Sequence, residues 1–207
     1  MYNSFRKKDT VQEKIVAEYL DSKLYHREDI FDKILRTDDR ENQLAGSDLL
    51  MTIERKNIFN SVVDEKAQLY YLKGGLPTFA FELSFLRYNG QRVGGWFIDQ
   101  EKKTEYYMLL WLTAEEGFEL IEQIKMIEFV LISRKKIFDF LSQQGLDLRA
   151  LNNKSIEAIN SGQKYFEKST ERPYWFVNSN HLAEKPVNIV IKKEVLKKLS
   201  SIFGTVR

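Results

Sequence analysis

Near residue 47 the apolar residues of this chain change their period, and that change sets its class. Upstream, Val11, Ile15, Val16, Tyr19, Leu20 and Leu24 recur at the three- and four-residue spacing of one helix face. Thr10-Val11-Gln12-Glu13 has the form of a capping box, so the pattern predicts a helix over 10–24. Glu18 falls on the apolar stripe, which puts it either at the stripe's edge or aimed into a site. Ile30, Phe31, Ile34 and Leu35 predict a second, shorter helix over 29–36.

From Ser47 onward the period is two. Strands are predicted over 47–54, 60–71 and 78–88, with Asn89-Gly90 as a hairpin turn and 91–98 as the return. A strongly apolar strand follows over 105–113, then a helix over 115–123 and a strand over 127–132. Ser133 and Gly145 bracket a helix over 134–144. Beyond it the pattern predicts short helical structure within 147–162, strands over 174–178 and 187–191, and a last amphipathic helix over 194–202. Strands interleaved with helices make this an α/β chain whose sheet is covered by helices. No repeat or low-complexity segment interrupts it. We therefore expect one α/β domain, with a core over 1–145 and an extension over 146–207 packed on it.

Composition limits the chemistry. The chain has 207 residues, no Cys and two isolated His, His26 and His181. Disulfides, thiolate zinc sites and cysteine nucleophiles are thereby excluded. With 32 Lys and Arg against 30 Asp and Glu the net charge is +2, so an anionic partner must meet a local patch. Gly74-Gly75 and Gly94-Gly95 are followed by no Gly-Lys-Ser/Thr and read as turns rather than phosphate loops. No apolar run approaches the roughly 20 residues of a membrane span, 126–132 being short and broken by Glu128, and no leader is visible, so the expectation is a cytoplasmic chain that does not enter the membrane. Carboxylates, Lys and an oxygen-bound metal are what remain.

These meet around residue 64. On a strand, Val62, Asp64, Lys66, Gln68 and Tyr70 share one face, while Val63, Glu65, Ala67 and Leu69 share the other. Asp48, sixteen residues upstream behind Gly46-Ser47, starts the preceding predicted strand, and a hairpin of this length brings it beside Asp64. Two carboxylates so placed suit Mg²⁺, which takes one or two acids plus waters and phosphate oxygens. Lys66 reaches the same pocket, to orient or deprotonate a water or to neutralise charge on phosphorus. Each residue also has a plainer reading: Asp48 as a turn residue, Asp64 and Lys66 as a solvated edge-strand pair, Glu18 as a solvated helix acid.

The ordered set Gly46-Ser47-Asp48, strand, Asp64-Glu65-Lys66, with an upstream helix bearing Glu18, resembles the PD-(D/E)XK nuclease superfamily. The resemblance covers about residues 10–145 and departs from the pattern at Ser47, which stands where the family's name has Pro. It implies a restriction-endonuclease-like mixed central sheet flanked by helices, here with an extended β-meander and a C-terminal α/β extension. It implies Mg²⁺ (or Mn²⁺) held by Asp48, Asp64, the Glu65 carbonyl and Glu18, with Lys66 catalytic and Gln68 extending the polar face. Glu82 joins the cluster only if its strand neighbours Asp64. The activity implied is hydrolysis of phosphodiester bonds in nucleic acid, DNA first, and cutting both strands makes a homodimer an expected assembly. Arg134, Lys135 and Lys136, at a helix start, are the first candidates for phosphate contact. Among the aromatics, Trp96 is the best candidate for exposure, and 174–176 reads as sheet core. The competing expectation is a non-catalytic module on the same fold that binds nucleic acid or protein.

Overall fold

The computed structural model describes residues 2–37 and 40–207. They form two mixed-origin units, each built from segments distant in sequence. The first comprises residues up to Leu76, Lys103–Arg134 and Ser200–Arg207, and the second Pro77–Lys102 and Lys135–Leu199. Strands on both sides of residue 145 contribute to each unit.

In the first unit helix α1 (Tyr2–Lys23) is followed by β1 (Lys33–Arg36), α2 (Arg40–Leu44), β2 (Leu49–Ile53), β3 (Ile58–Gln68), β6 (Tyr106–Ala114), β7 (Ile124–Ser133) and β11 (Ile202–Val206). The six strands lie in the order β1-β2-β3-β6-β7-β11. All neighbours are antiparallel except β3 and β6, which run parallel with Asp64 beside Tyr107 and Lys66 beside Leu109. The sheet is therefore mixed, as expected. Ile15, Val16, Tyr19 and Leu20 of α1, with Leu24 just after it, pack into one apolar cluster with Leu49, Met51, Val63, Met108, Leu110, Phe129 and Leu131. Burying apolar area stabilises by about 25 cal/mol per Å², so this helix–sheet contact contributes to the unit's stability. On β6 the opposite face is closed as well, with Tyr107, Leu109 and Trp111 all buried. That explains the unbroken apolar run there.

Three local expectations are corrected in this unit. The helix α1 runs through the Thr10 box from Tyr2 instead of starting at it. Residues 33–36 form a strand and not a helix, since Ile34 and Leu35 pair with Met51 and Leu50 on β2. The region 115–123 holds only a single 3₁₀ turn at Ile121–Gln123, because Gly117 turns the chain with φ of 70°.

The second unit contains β4 (Thr78–Leu86), β5 (Arg92–Gly94), α3 (Arg134–Gln143, from Lys135 onward), α4 (Leu148–Ser161), β8 (Tyr165–Phe166), β9 (Tyr174–Asn178), β10 (Val187–Lys192) and α5 (Lys193–Leu199). Its antiparallel sheet has the order β5-β4-β10-β9-β8. Asp147 caps α4 by accepting from the Ala150 N–H at 2.7 Å, and Gly162 ends it in the left-handed region. On the sheet face covered by α4, Asn178 donates to the Ala158 carbonyl and the Ser84 and Ser155 hydroxyls meet at 2.8 Å. Phe97 stacks on Phe138 of α3 with ring centroids 4.6 Å apart. Trp96 is half-buried against Phe81 and Phe97, so the aromatic expected to be most exposed is instead part of the packing. Its neighbour Gly95 has no room for a side chain: a Cβ there would lie 2.4 Å from the Glu82 carbonyl oxygen. The helix expected over 194–202 ends at Leu199 and gives way to β11.

Candidate functional site

The ladder between β2 and β3 sets the site. Leu49 pairs with Val63 and Leu50 with Val62; Asp48 directly precedes β2, and its carboxyl feels the Asp64 charge, which places the two acids together. Asp48 is held on every side. Its N–H donates to the Val63 carbonyl, its carbonyl accepts from Thr37, and its Oδ2 accepts from the Glu65 N–H at 2.7 Å. The turn before it is fixed too: Gly46 adopts φ of 77° and its carbonyl accepts from the buried Thr104 hydroxyl at 2.8 Å.

Asp64 is buried, and its Oδ1 accepts from the Lys66 ammonium at 2.5 Å, with 5% and 28% of the two side chains exposed. Three charges thus crowd a half-closed space. Burial and the neighbouring Asp64 charge push the Asp48 carboxyl up to about 7, against the lowering effects of Lys66 and the Glu65 N–H. For Lys66, burial works against the ammonium. The charge and hydrogen bond of Asp64, with Asp48 and Glu13 behind them, outweigh it and leave its pKa raised. Lys66 is accordingly a cation at neutral pH.

The other face of β3 carries a separate network. Glu65 accepts from the Tyr25 hydroxyl at 2.5 Å and from Arg36 at 2.7 Å, and Arg36 also grips Asp21 through two nitrogens. Burial, followed by the Glu65 charge, raises the Tyr25 hydroxyl well above its ordinary range. The Glu65 carboxylate is thereby committed away from Asp48 and Asp64, leaving only its carbonyl as a group of the kind the resemblance implies.

The structure brings together Asp48, Asp64 and Lys66. Glu18 is exposed on α1 and is not among the charges acting most strongly on Asp48 or Lys66. The α1 acid whose charge reaches Lys66 is Glu13, at a position the helical stripe did not single out. Gln68 shares the face but spends its Oε1 on the Leu76 N–H at 3.0 Å, tying down the segment after β3. Glu82 lies on β4, paired with β10 in the other sheet. The condition for its joining Asp64, a neighbouring strand, is not met. Arg134 donates its backbone N–H to the Glu105 carbonyl, Lys135 is ion-paired with Asp139 at 2.7 Å, and Lys136 is exposed. Tyr25 and Arg36 went unnoticed in the sequence because nothing in their spacing links residues 25, 36 and 65.

Among the described residues no group of three or more His, Cys, Asp and Glu gathers in a metal-holding arrangement. No helix among them is long and apolar enough to cross a membrane. Comparison with protein-family models, with curated proteins and with solved structures finds no match for this chain.

Proposed function

We propose that the chain is a Mg²⁺-dependent nuclease of the PD-(D/E)XK type, hydrolysing phosphodiester bonds with DNA as the first substrate to test. The observation that supports it is the gathering of Asp48, Asp64 and Lys66 beside the start of β2, with the Lys66 ammonium on the Asp64 carboxylate. Two acids fit the chemistry of Mg²⁺, which completes its shell with waters and phosphate oxygens. Crowded carboxylates, one with its proton affinity raised by the other, are the electrostatic setting a divalent cation relieves.

Asp48, Asp64 and the Glu65 carbonyl are the groups to hold the ion, which when bound supplies a Lewis acid for the phosphate oxygens. The chain's own part is to hold the scissile group and its water in line. Lys66, charged and anchored by Asp64, donates to the attacking water or to a non-bridging phosphate oxygen, offsetting the negative charge that builds there. Water adds to phosphorus and gives up a proton to solvent, the P–O bond to the leaving sugar oxygen breaks, and that oxygen takes up a proton from solvent. A homodimer supplying two such sites belongs to this proposal for duplex cutting.

The test uses purified protein with matched DNA and RNA substrates and Mg²⁺ or Mn²⁺. Cleavage is expected with metal, and Asp64→Ala and Lys66→Ala are each expected to lower it at least about 100-fold while leaving the circular dichroism spectrum intact. Absence of divalent-metal binding by the wild type, together with unchanged cleavage in both variants, rejects the proposal. A second reading, a non-catalytic binding module, draws on the lack of a third acid in the described site and on the Asp64–Lys66 ion pair, which already neutralises one carboxylate. It predicts that Mg²⁺ leaves the melting temperature unchanged.

A further inference from the structure

In the second unit, the edge of the five-stranded sheet carries two aromatic rings capped by lysines. Tyr165 of β8 stands opposite Val177 of β9, and Trp175 is two residues along the same strand, so Tyr165, Val177 and Trp175 share one face. That face is opposite the one bearing Phe176 and Asn178, which α4 covers. Tyr165 is 46% exposed and Trp175 half-buried. The Lys168 ammonium lies 4.5 Å from the centre of the Tyr165 ring and 5.6 Å from that of Trp175, and the Lys164 ammonium lies 5.4 Å from Tyr165. Both lysines are exposed. The acid between them, Glu167, is committed to Lys154 and Arg172 at 2.6 Å each, so it does not cancel their charge. The Trp175 Nε1–H is buried and finds no acceptor among the described residues.

We infer that this sheet edge binds single-stranded nucleic acid, with bases stacking on Tyr165 and Trp175 and phosphates meeting Lys164 and Lys168. The pairing of aromatic rings with ammonium groups matches a polymer that alternates flat bases with single negative charges. Diagonal neighbours on paired strands are about 7–8 Å apart, roughly twice the 3.4 Å rise of stacked bases. The two rings therefore suit bases splayed from a single strand, and a closed duplex offers them no base faces. Lys168 rests on the rings in the free protein and swings to a phosphate when a base takes its place. This inference goes beyond the hydrolytic reading and does not rest on it.

The experiment is fluorescence anisotropy of the full chain with labelled oligo(dT) and oligo(U) of about 12 nucleotides and a duplex of equal length, in EDTA so that no cleavage intervenes. Saturable binding to the single strands is expected, weaker for the duplex, with affinity falling as salt rises from about 50 to 200 mM. Tyr165→Ala and Trp175→Ala are expected to weaken binding about 5- to 100-fold each, and Trp175→Phe to retain most of it. The double variant K164Q/K168Q is expected to reduce the slope of log affinity against log salt by about 1.4. If Trp175→Ala fails to fold, the exposed-site variants Tyr165→Ala and K164Q/K168Q decide. No saturable binding, a duplex bound as tightly as the single strands, or ring and lysine variants that bind like the wild type overturns the inference.

Discussion

Replacing Asp48 with Asn separates the cost of its charge from the value of its shape. In the folded chain this carboxyl titrates near 7 instead of 3.8, driven first by burial and then by the Asp64 charge. The folded state therefore holds a proton more tightly than the unfolded one, and stability falls as pH rises from about 4 to about 7, then levels. About 3 pH units at roughly 1.4 kcal/mol each put the full penalty at about 4 kcal/mol above pH 7. Asn resembles the protonated acid and keeps an oxygen for the Glu65 N–H. D48N is expected to gain on the order of 2–4 kcal/mol at pH 8, or about 5–15 °C in melting temperature for a chain of this size, and to match the wild type at pH 4. The assay is thermal and urea denaturation from pH 4 to 8 without divalent metal, read as the difference between the two proteins so that other titrating groups cancel. A difference that does not widen with pH, or a D48N protein less stable at pH 8, refutes the reasoning.

Two further substitutions probe the surrounding charges. Lys66→Met strands Asp64 and Asp48 as unrelieved buried acids and is expected to cost about 3–5 kcal/mol in urea melts at pH 7. Asp64→Asn in the same chain should recover much of that loss, so additivity of the two changes within about 0.5 kcal/mol contradicts the pairing. Arg36→Leu removes the cation shared by Glu65 and Asp21 and is expected to cost about 3 kcal/mol. Arg36→Lys restores only part, because an ammonium cannot reproduce the guanidinium's two-nitrogen grip on Asp21; full rescue in a thermal melt counts against that geometry.

What could be read in advance depended on how local the signal was. Asp64 and Lys66 were legible because strand alternation places residues two apart on one face. Asp48 was legible because only one short hairpin separates it from Asp64. Glu13 was missed, and Glu18 preferred, because the helical stripe says which residues face the core and nothing about which charge reaches across to β3. The segment 33–36 is too short for its apolar pair to distinguish three-residue from two-residue periodicity, and pairing with β2 made the choice. Likewise Ile202 closed an apolar helical pattern convincingly, although it opens β11. The arrangement of two sheets assembled from interleaved segments rests on long-range pairing that no window of sequence contains.

The place of β11 also bears on how the chain reaches its native state. The strand pairs with β7, and the Tyr19 hydroxyl of α1 donates to the Val206 carbonyl at 3.4 Å, across 187 positions of sequence. The first sheet therefore lacks an edge until residues 202–206 are made. During synthesis β7 would present unpaired amides and carbonyls, a template for pairing with other chains. Contacts this distant in sequence also slow folding, because a long loop must close before they form. A chain ending at Leu199 would retain Asp48, Asp64 and Lys66 yet leave that edge permanently open.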